Sequence, residues 1–276
     1  MSRNKVHDFL WNMSVFLALF IILFPPLWAL FWSFKLPKDI ISLDFSPQYT
    51  VENYVVVLLS KDESIIKGLV DTLILVVLST VVILPLAFPA AYGLARYRIN
   101  KIVKWFSLNI FMFVRALPGT AIILPYLQIS TAVGLYDTYL IVLLMYVLKF
   151  SPLALFMLMT FIGELPVEVE EAAHVDGAST LKVFTNIVIP LIAPGLAATA
   201  VFIMIYTWSD YIFVLFLTAR NVSNIQLAVA RFNAEYYVEW GPLLASSIIS
   251  ILPVILLVAL VQKSMIKGLT LGALKG

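Results

Sequence analysis

The chain has 276 residues, of which 62% are hydrophobic and only 12% are charged, about half the charged fraction of an ordinary soluble domain. Its formal net charge of +2 is too small to indicate a nucleic-acid partner, and without cysteine it has no disulfide framework, thiolate metal site or thiol redox chemistry. With a mean hydropathy of +1.01, the composition is typical of an integral membrane protein.

Six apolar runs follow one another along the chain. They occupy residues 13–34, 68–94, 103–129, 136–162, 192–217 and 243–262. At about 1.5 Å per residue, each run of at least about 20 residues can cross a hydrocarbon core about 30 Å thick. Arg3 and Lys5 precede the first run, but it is too long for a signal-peptide core and lacks a clear cleavage site before Lys35. We therefore predict an all-α integral membrane protein with six transmembrane helices, the first an uncleaved signal anchor.

Prolines recur inside these runs, where the carbonyls they leave free must find other partners. They are Pro25, Pro26, Pro85, Pro89, Pro118, Pro125 and Pro152. Their density is compatible with kinked helices around a cavity, and equally with prolines that merely interrupt ordinary buried helices.

The orientation of the spans follows from the basic residues. If the N-terminus is cytoplasmic, ten lysines and arginines fall on the cytoplasmic side and six outside. The contrast is sharpest in the short loop after the second run, which contains Arg96, Arg98, Lys101 and Lys104. Because short loops dominate the positive-inside rule, we expect both termini and this loop to be cytoplasmic.

The segment 163–191, between the fourth and fifth runs, is polar and favours helix formation. Pro166 suits a helix start, and the glutamates that follow stabilise the positive end of a helix dipole. Gly177 suits the left-handed conformation that ends a helix, and Ser179 or Thr180 can cap a second one. The predicted structure is a helix–Gly–helix loop with small residues at its tip, either a docking surface or a solvated connector.

The spacing of this segment resembles a known motif. Glu171-Ala172-Ala173, Gly177 and the run 187–190, with Ile189 in place of the usual leucine, resemble the cytoplasmic EAA loop of ABC importer permeases. Four further segments resemble the carbohydrate-uptake, maltose-permease-like branch of that family. They are TVENY at 50–54, GLYDT at 134–138, WSDY at 208–211, where serine replaces the family's asparagine, and KGLTLGALKG at 267–276.

The resemblance implies a permease subunit that forms half of the pathway for a carbohydrate delivered by a periplasmic or lipid-anchored binding protein. Residues 1–276 would be one transmembrane domain in the bacterial inner membrane, with a coupling loop at 163–191 and a cytoplasmic tail at 263–276. The chain would be no enzyme, because ATP and Mg would bind a separate ATPase dimer. A second, related permease would complete the pore.

The resemblance also implies two sets of residues that couple the chain to the ATPase. In the loop these are Glu170, Glu171, Ala172, Ala173, Asp176, Gly177 and Ala178. In the tail they are Gly268, Leu269, Thr270, Gly272, Lys275 and Gly276.

Three charges fall within the predicted spans: Arg115, Lys149 and Asp210. Each costs about 2.5–3.5 kcal/mol at mid-membrane on insertion scales, so each needs a partner or water. We expect Asp210 to form an ion pair with one of the two bases, which leaves one cation for water, a partner subunit or an anionic substrate. Trp208 and Tyr211 flank Asp210 and are candidate surfaces for a sugar ring.

Other functions find little support in the residues. The sequence contains no phosphate-binding G-x-x-x-x-G-K-S/T loop, no H-E-x-x-H motif and no G-x-S-x-G elbow, and His7 and His174 form no metal-ligand cluster. An ATPase-independent secondary transporter would leave the acidic loop unexplained. A permease for a non-sugar solute, such as a phosphorylated polyol, is the remaining alternative within the ABC importers.

Overall fold

The computed structural model describes residues 5–59, 65–233 and 237–273. These residues are mainly helical, with one isolated antiparallel bridge between Asn233 and Val238. In chain order the helices are α1 (Lys5–Ser33), α2 (Pro37–Ser42), α3 (Glu52–Leu59), α4 (Ile65–Arg96), α5 (Lys101–Ala116), α6 (Gly119–Ala132), α7 (Tyr139–Glu164), α8 (Val167–Val175), α9 (Thr180–Val183), α10 (Ile189–Leu191), α11 (Ala193–Trp208), α12 (Ile212–Leu217), α13 (Ile225–Ala230) and α14 (Trp240–Ala273). A π-helical stretch, Phe184–Val188, joins α9 to α10.

The chain divides into two compact units. The first comprises Met1–Ile66 and Ala228–Leu252, and the second comprises Lys67–Leu227 and Pro253–Gly276. In the second unit α7 packs against α5, α11 and α12, and α12 also packs against α6. The inward face of α7 is apolar and closely packed, with Val142 and Leu158 fully buried. This core positions the polar residues described below.

Helix α1 dominates the first unit and is apolar along most of its exposed length. The chain then turns back through α2 and α3, where the buried side chain of Asn53 donates to the carbonyls of Ser33 and Lys35, both at 2.8 Å. These two bonds join α3 to the end of α1.

The described helices contain four single spans and two bent pairs. The long apolar helices are His7–Ser33, Ile65–Arg96, Tyr139–Glu164 and Trp240–Ala259. The pair Lys101–Ala116 and Gly119–Ala132 bends by 93°, and the pair Thr180–Leu191 and Ala193–Trp208 bends by 73°. Six spans are therefore reached only if each bent pair counts as one. The third apolar run breaks at residues 117–118, and the fifth is bent before α11 and interrupted again at residues 209–211.

Only some of the prolines break helices. Pro118 lies in the 93° bend, immediately before α6, while Pro25, Pro26, Pro85, Pro89, Pro125 and Pro152 lie inside helices. The residue before a proline is biased away from helical backbone, and Leu117 is extended at ψ 129°. The bend is thus encoded locally, whereas the other prolines are tolerated within helices.

The C-terminal segment is helical. Helix α14 continues without interruption from Trp240 to Ala273, and its candidate span is Trp240–Ala259, so a cytoplasmic tail from residue 263 stays a prediction. Gly268, Leu269, Thr270 and Gly272 lie in its last turns, and Lys275 and Gly276 lie outside the described residues.

Candidate functional site

Residues 167–183, which we call the elbow, form the helix–Gly–helix structure predicted from the sequence. Helix α8 ends at Val175, and Gly177 follows with a φ of 82°. The Gly177 amide donates to the His174 carbonyl at 3.0 Å, and the Ala178 amide donates to the Ala173 carbonyl at 2.9 Å. These two bonds are the Schellman motif, in which a left-handed residue closes a helix. The spacing from Ala173 to Gly177 is therefore that of a helix end.

The second half of the elbow begins with a cap and continues into a bent helix. The Ser179 hydroxyl accepts from the Lys182 amide at 3.4 Å, and the His174 ring nitrogen lies 3.0 Å from the Ala178 carbonyl oxygen. Space around Gly177 is open, since an added Cβ would meet nothing within 4 Å. The requirement for glycine at this position is therefore conformational.

The outer side of the elbow combines apolar and acidic groups. We call these exposed residues the elbow surface: Glu171, Ala172, Val175, Asp176 and Leu181. Val175 is 88% exposed and lies outside the candidate spans, and Leu181 is 71% exposed and lies at the start of the bent pair Thr180–Leu191 and Ala193–Trp208. Ala173 and Ala178 are half-buried and support the turn from beneath.

Glu170, which the sequence placed with Glu171 as a contact for a partner, faces the other way. It is only 6% exposed, and its two carboxylate oxygens accept from Arg96 Nε at 2.6 Å and Tyr92 Oη at 2.7 Å. Arg96 Nη2 also donates to the Leu165 carbonyl at 2.9 Å. We call Tyr92, Arg96 and Glu170 the elbow clamp. The carboxylate of Glu170 is thus bound within the chain, and a contact of Glu170 with a partner protein stays a prediction.

Asp210 does not form the predicted ion pair. Its carboxylate accepts from the Tyr146 hydroxyl at 2.9 Å and from the amides of Phe213 and Val214, both at 3.3 Å. These amides are the unsatisfied donors at the start of α12, so Asp210 caps that helix where the fifth run is interrupted. The side chain of Asn224 in turn donates to the Asp210 carbonyl.

The two bases are also positioned by the backbone and by aromatic rings. Lys149 Nζ donates to the carbonyls of Arg115, at 3.1 Å, and Leu117. It thereby places its charge at the negative end of the α5 dipole, at the 93° bend. The Arg115 guanidinium lies over the Tyr206 ring, 5.5 Å from its centroid. Neither base pairs with a carboxylate in the described part of the chain.

The two aromatic residues beside Asp210 differ in exposure. Trp208 is 2% exposed, and its indole nitrogen has no hydrogen-bond partner among the described residues. It therefore offers no free face to a sugar in this conformation. Tyr211 is exposed and remains available.

Two carboxylates that the sequence did not single out as site residues, Asp137 and Asp71, bind the segment 219–223 of the second unit. Asp137 accepts from the amides of residues 219–222 at 2.9–3.2 Å. Asp71 accepts from the Tyr139 hydroxyl at 2.6 Å, the Ser223 amide at 2.9 Å and Lys67 Nζ at 2.5 Å. We call these two aspartates and residues 219–223 the loop anchor. Burial alone would raise the pKa of Asp137, but the four amides outweigh it and hold that pKa below its usual range.

A sequence signal for Asp137 existed in the GLYDT segment, which contains Gly134 at φ 72° and Asp137 itself at φ 61°. Aspartate is one of the few residues that tolerate this region. Asp71 carried no comparable signal, because it lies near the start of a long apolar helix and two of its partners, Tyr139 and Ser223, are far away in sequence.

Comparisons with known proteins agree with this architecture. A family model described as the binding-protein-dependent transport system inner membrane component matches residues 83–266. The inner membrane ABC transporter permease protein YcjP of Escherichia coli is 34% identical over 271 residues, with 94% of each chain covered. The trehalose/maltose transport system permease protein MalG of Thermococcus litoralis is 31% identical over 281 residues, with 100% of each chain covered.

A solved structure has the same fold. A bacterial ABC transporter involved in the import of the acidic polysaccharide alginate contains a chain that superposes with a TM-score of 0.76 at 20% identity, with 95% of this chain and 98% of that chain covered. The expected family is confirmed, and an ATPase-independent secondary transporter is no longer favoured. The chain belongs to the binding-protein-dependent transport system inner membrane components, and it is an ABC transporter permease subunit whose ATPase is a separate protein.

Proposed function

We propose that this chain forms half of the translocation pathway of an ABC importer for a carbohydrate, and that the elbow surface couples it to the ATPase. The observation that carries the coupling role is the exposure of Val175 and Leu181 beside Glu171 and Asp176. Large exposed apolar groups rimmed by acids are typical of a protein-docking site. The carbohydrate assignment is supported by the similarity to the trehalose/maltose permease.

The topology that we propose has both termini and the elbow in the cytoplasm. The basic loop after α4 supports this orientation through the positive-inside rule. Arg96, at the start of that loop, binds Glu170 of the elbow, so the two segments lie on the same side of the membrane.

The partners that we propose are a second, related permease, an ATPase dimer that binds ATP and Mg, and a periplasmic or lipid-anchored binding protein. Four to six spans are too few to enclose a pore, which supports a second permease. The last turns of α14, with Gly268, Leu269, Thr270 and Gly272, are a candidate second contact with the ATPase, as are Lys275 and Gly276.

The substrate that we propose carries a negative charge, as an acidic oligosaccharide does. Arg115 is half-buried, lies on Tyr206 and is not neutralised by a described carboxylate. Lys149 already donates to the carbonyls at the 93° bend, so Arg115 is the better candidate for a substrate contact. Tyr211 offers an exposed ring as a second candidate contact. A phosphorylated polyol would use the same cation and is the second candidate.

Uptake assays of two variants test the charge of the substrate. We expect Arg115→Gln to reduce uptake of a uronate oligosaccharide at least about tenfold while uptake of a neutral disaccharide changes little. Lys149→Gln should reduce both, because it releases the bend. Equal loss of the acidic and neutral sugars in Arg115→Gln would remove Arg115 from the substrate site.

Two matched glycine variants test the coupling role. Gly177 and Gly134 both have positive φ, and both amides donate to the preceding helix, to His174 at 3.0 Å and Thr131 at 3.2 Å. Proline is incompatible with either position, since it fixes φ near −65° and has no amide hydrogen. We expect tagged Gly177→Pro to lose the ATPase that co-purifies with the wild type, and Gly134→Pro to retain it. A wild-type chain that captures no ATPase would overturn the proposed function.

A further inference from the structure

We propose that the elbow clamp is a rigid joint that transmits displacement of the elbow to α4, with Glu170 as its positioning residue. This inference rests on the proposed function, in which an ATPase moves the elbow. It assigns Glu170 a role different from that of its neighbour Glu171, although both are glutamates of the same helix.

The clamp is a buried and fully partnered carboxylate site. The side chains of Arg96 and Glu170 are 11% and 8% exposed, and both oxygens of Glu170 have a donor at 2.6–2.7 Å. A buried ion pair is tolerated when its remaining hydrogen-bonding capacity is satisfied, and a half-satisfied one is strongly unfavourable. The pair therefore resists separation when the elbow is pushed.

Arg96 fastens two elements at once. Its Nε binds Glu170 in α8, and its Nη2 binds the carbonyl of Leu165, directly after α7. The end of α4 is thus joined to the end of α7 and to the first turn of the elbow.

The far side of the elbow reaches the same helix. Phe184, directly after α9, stacks on Phe88 with ring centroids 4.5 Å apart and an interplanar angle of 25°. It also meets Tyr92 edge-on at 5.2 Å. Tyr92 therefore contacts both sides of the elbow, through its hydroxyl to Glu170 and through its ring to Phe184.

The two ends of the elbow are consequently held by one face of α4, formed by Phe88, Tyr92 and Arg96. An elbow held at one end would pivot about that end when a partner pushes on its surface. Held at both ends, it moves α4 with it. Because α4 is a candidate span, this motion reaches the membrane.

Neutralising variants of the adjacent glutamates separate the joint from the docking surface. In Glu170→Gln we expect the ATPase to co-purify and ATP hydrolysis to stay within about twofold of the wild type, while uptake falls at least about tenfold. In Glu171→Gln, the matched control on the elbow surface, the loss should appear in ATPase association instead. Tyr92→Phe removes one hydrogen bond and keeps the ring against Phe184, so uptake should fall about threefold with association unchanged.

A covalent cross-link in place of the clamp tests the joint directly, because uptake should recover on cross-linking only if the clamp transmits the displacement. The chain contains no cysteine, so Arg96→Cys/Glu170→Cys can be bridged selectively with a short bifunctional thiol reagent. We expect uptake to be low before bridging and to recover to within about threefold of the wild type afterwards. The single Glu170→Cys variant, treated in the same way, should not recover.

Several results would overturn the joint. Glu170→Gln that loses the ATPase as Glu171→Gln does would make Glu170 a direct contact, and unchanged uptake would leave the clamp without a role. If Glu170→Gln does not yield a folded protein, Tyr92→Phe and the bridged variant decide. A wild-type chain that binds no ATPase contradicts the proposed function itself, and is distinguished from failure of the joint by the association assay.

Discussion

The elbow clamp and the loop anchor both hold a connecting segment through carboxylates, but they use different partners. Glu170 is held by a guanidinium and a phenol, which are side chains. Asp137 is held by backbone amides of four consecutive residues. A side-chain partner can be replaced or exchanged by mutation, whereas a backbone amide cannot. The clamp is thus specified by a pair of residue types, and the loop anchor by one carboxylate and a loop conformation.

The largest expected loss of stability follows removal of the guanidinium from the clamp. Arg96→Met leaves the buried Glu170 carboxylate without its cation, and breaking a buried pair from one side costs about 3 kcal/mol. Thermal unfolding in detergent should show this loss. Replacing both partners by apolar residues is often nearly neutral, so Arg96→Met/Glu170→Met should recover most of it. A double variant as unstable as the single one would mean that the charge pairing is not what stabilises the clamp.

A smaller loss is expected when the loop anchor is weakened. Asp137→Asn tolerates the positive φ but turns one acceptor into a donor, so the mostly exposed amides of residues 219–222 lose hydrogen bonds to the protein at a cost of about 1 kcal/mol. Hydrogen exchange of amides 219–222 should accelerate, while that of the elbow stays unchanged. No substitution elsewhere should rescue it, in contrast to the clamp.

The same variant has a defined pH dependence. Because the folded pKa of Asp137 is lowered, its contribution is present above the unfolded pKa of about 4 and is lost as the pH falls through the folded value. The wild type should therefore lose stability on acidification below about pH 4 more steeply than Asp137→Asn. Parallel curves for the two proteins would contradict the assigned hydrogen bonds.

The smallest loss of stability is expected when the ion pair between Lys67 and Asp71 is removed. It is the only ion pair of the loop anchor among the described residues. Lys67 lies 2.5 Å from Asp71, but its side chain is 43% exposed, and Asp71 keeps Tyr139 and the Ser223 amide without it. The Asp71 side chain is only 5% exposed, but water screens the exposed lysine end of the pair and Asp71 keeps two other donors, so Lys67→Met should lower the unfolding temperature only slightly. A loss as large as that of Arg96→Met would remove the distinction between the two regions.

The structure bears out those sequence predictions that depend on local residues. The Ala173–Gly177 spacing predicts a helix end because the Schellman bonds join residues only three and five apart in the chain. Pro118 likewise marks a bend, of 93°, between two helices. Hydrophobic runs identify segments that fit the membrane, but a run remains equally apolar whether its helix is straight, bent by 73° or interrupted at Asp210.

The partners of the charged residues could not be predicted in the same way. Asp210 was expected to form an ion pair with Arg115 or Lys149 and leave one cation over, because charge and depth were the only information available. In the structure Asp210 caps a helix, Lys149 binds carbonyls at a bend, and Arg115 lies on a ring. Backbone groups that the helix breaks leave free bind Asp210 and Lys149. The hydropathy of the sequence does not show where these breaks lie.

The sequence by itself therefore determined that the chain is a helical membrane protein, where its apolar segments lie and that a helix–Gly–helix elbow separates two of them, because composition and short-range hydrogen bonds decide these properties. Only the tertiary structure decided which of two adjacent glutamates faces solvent. Glu170 and Glu171 are chemically identical, and their difference arises from the position of α4, whose Tyr92 and Arg96 are more than 70 residues away in the chain.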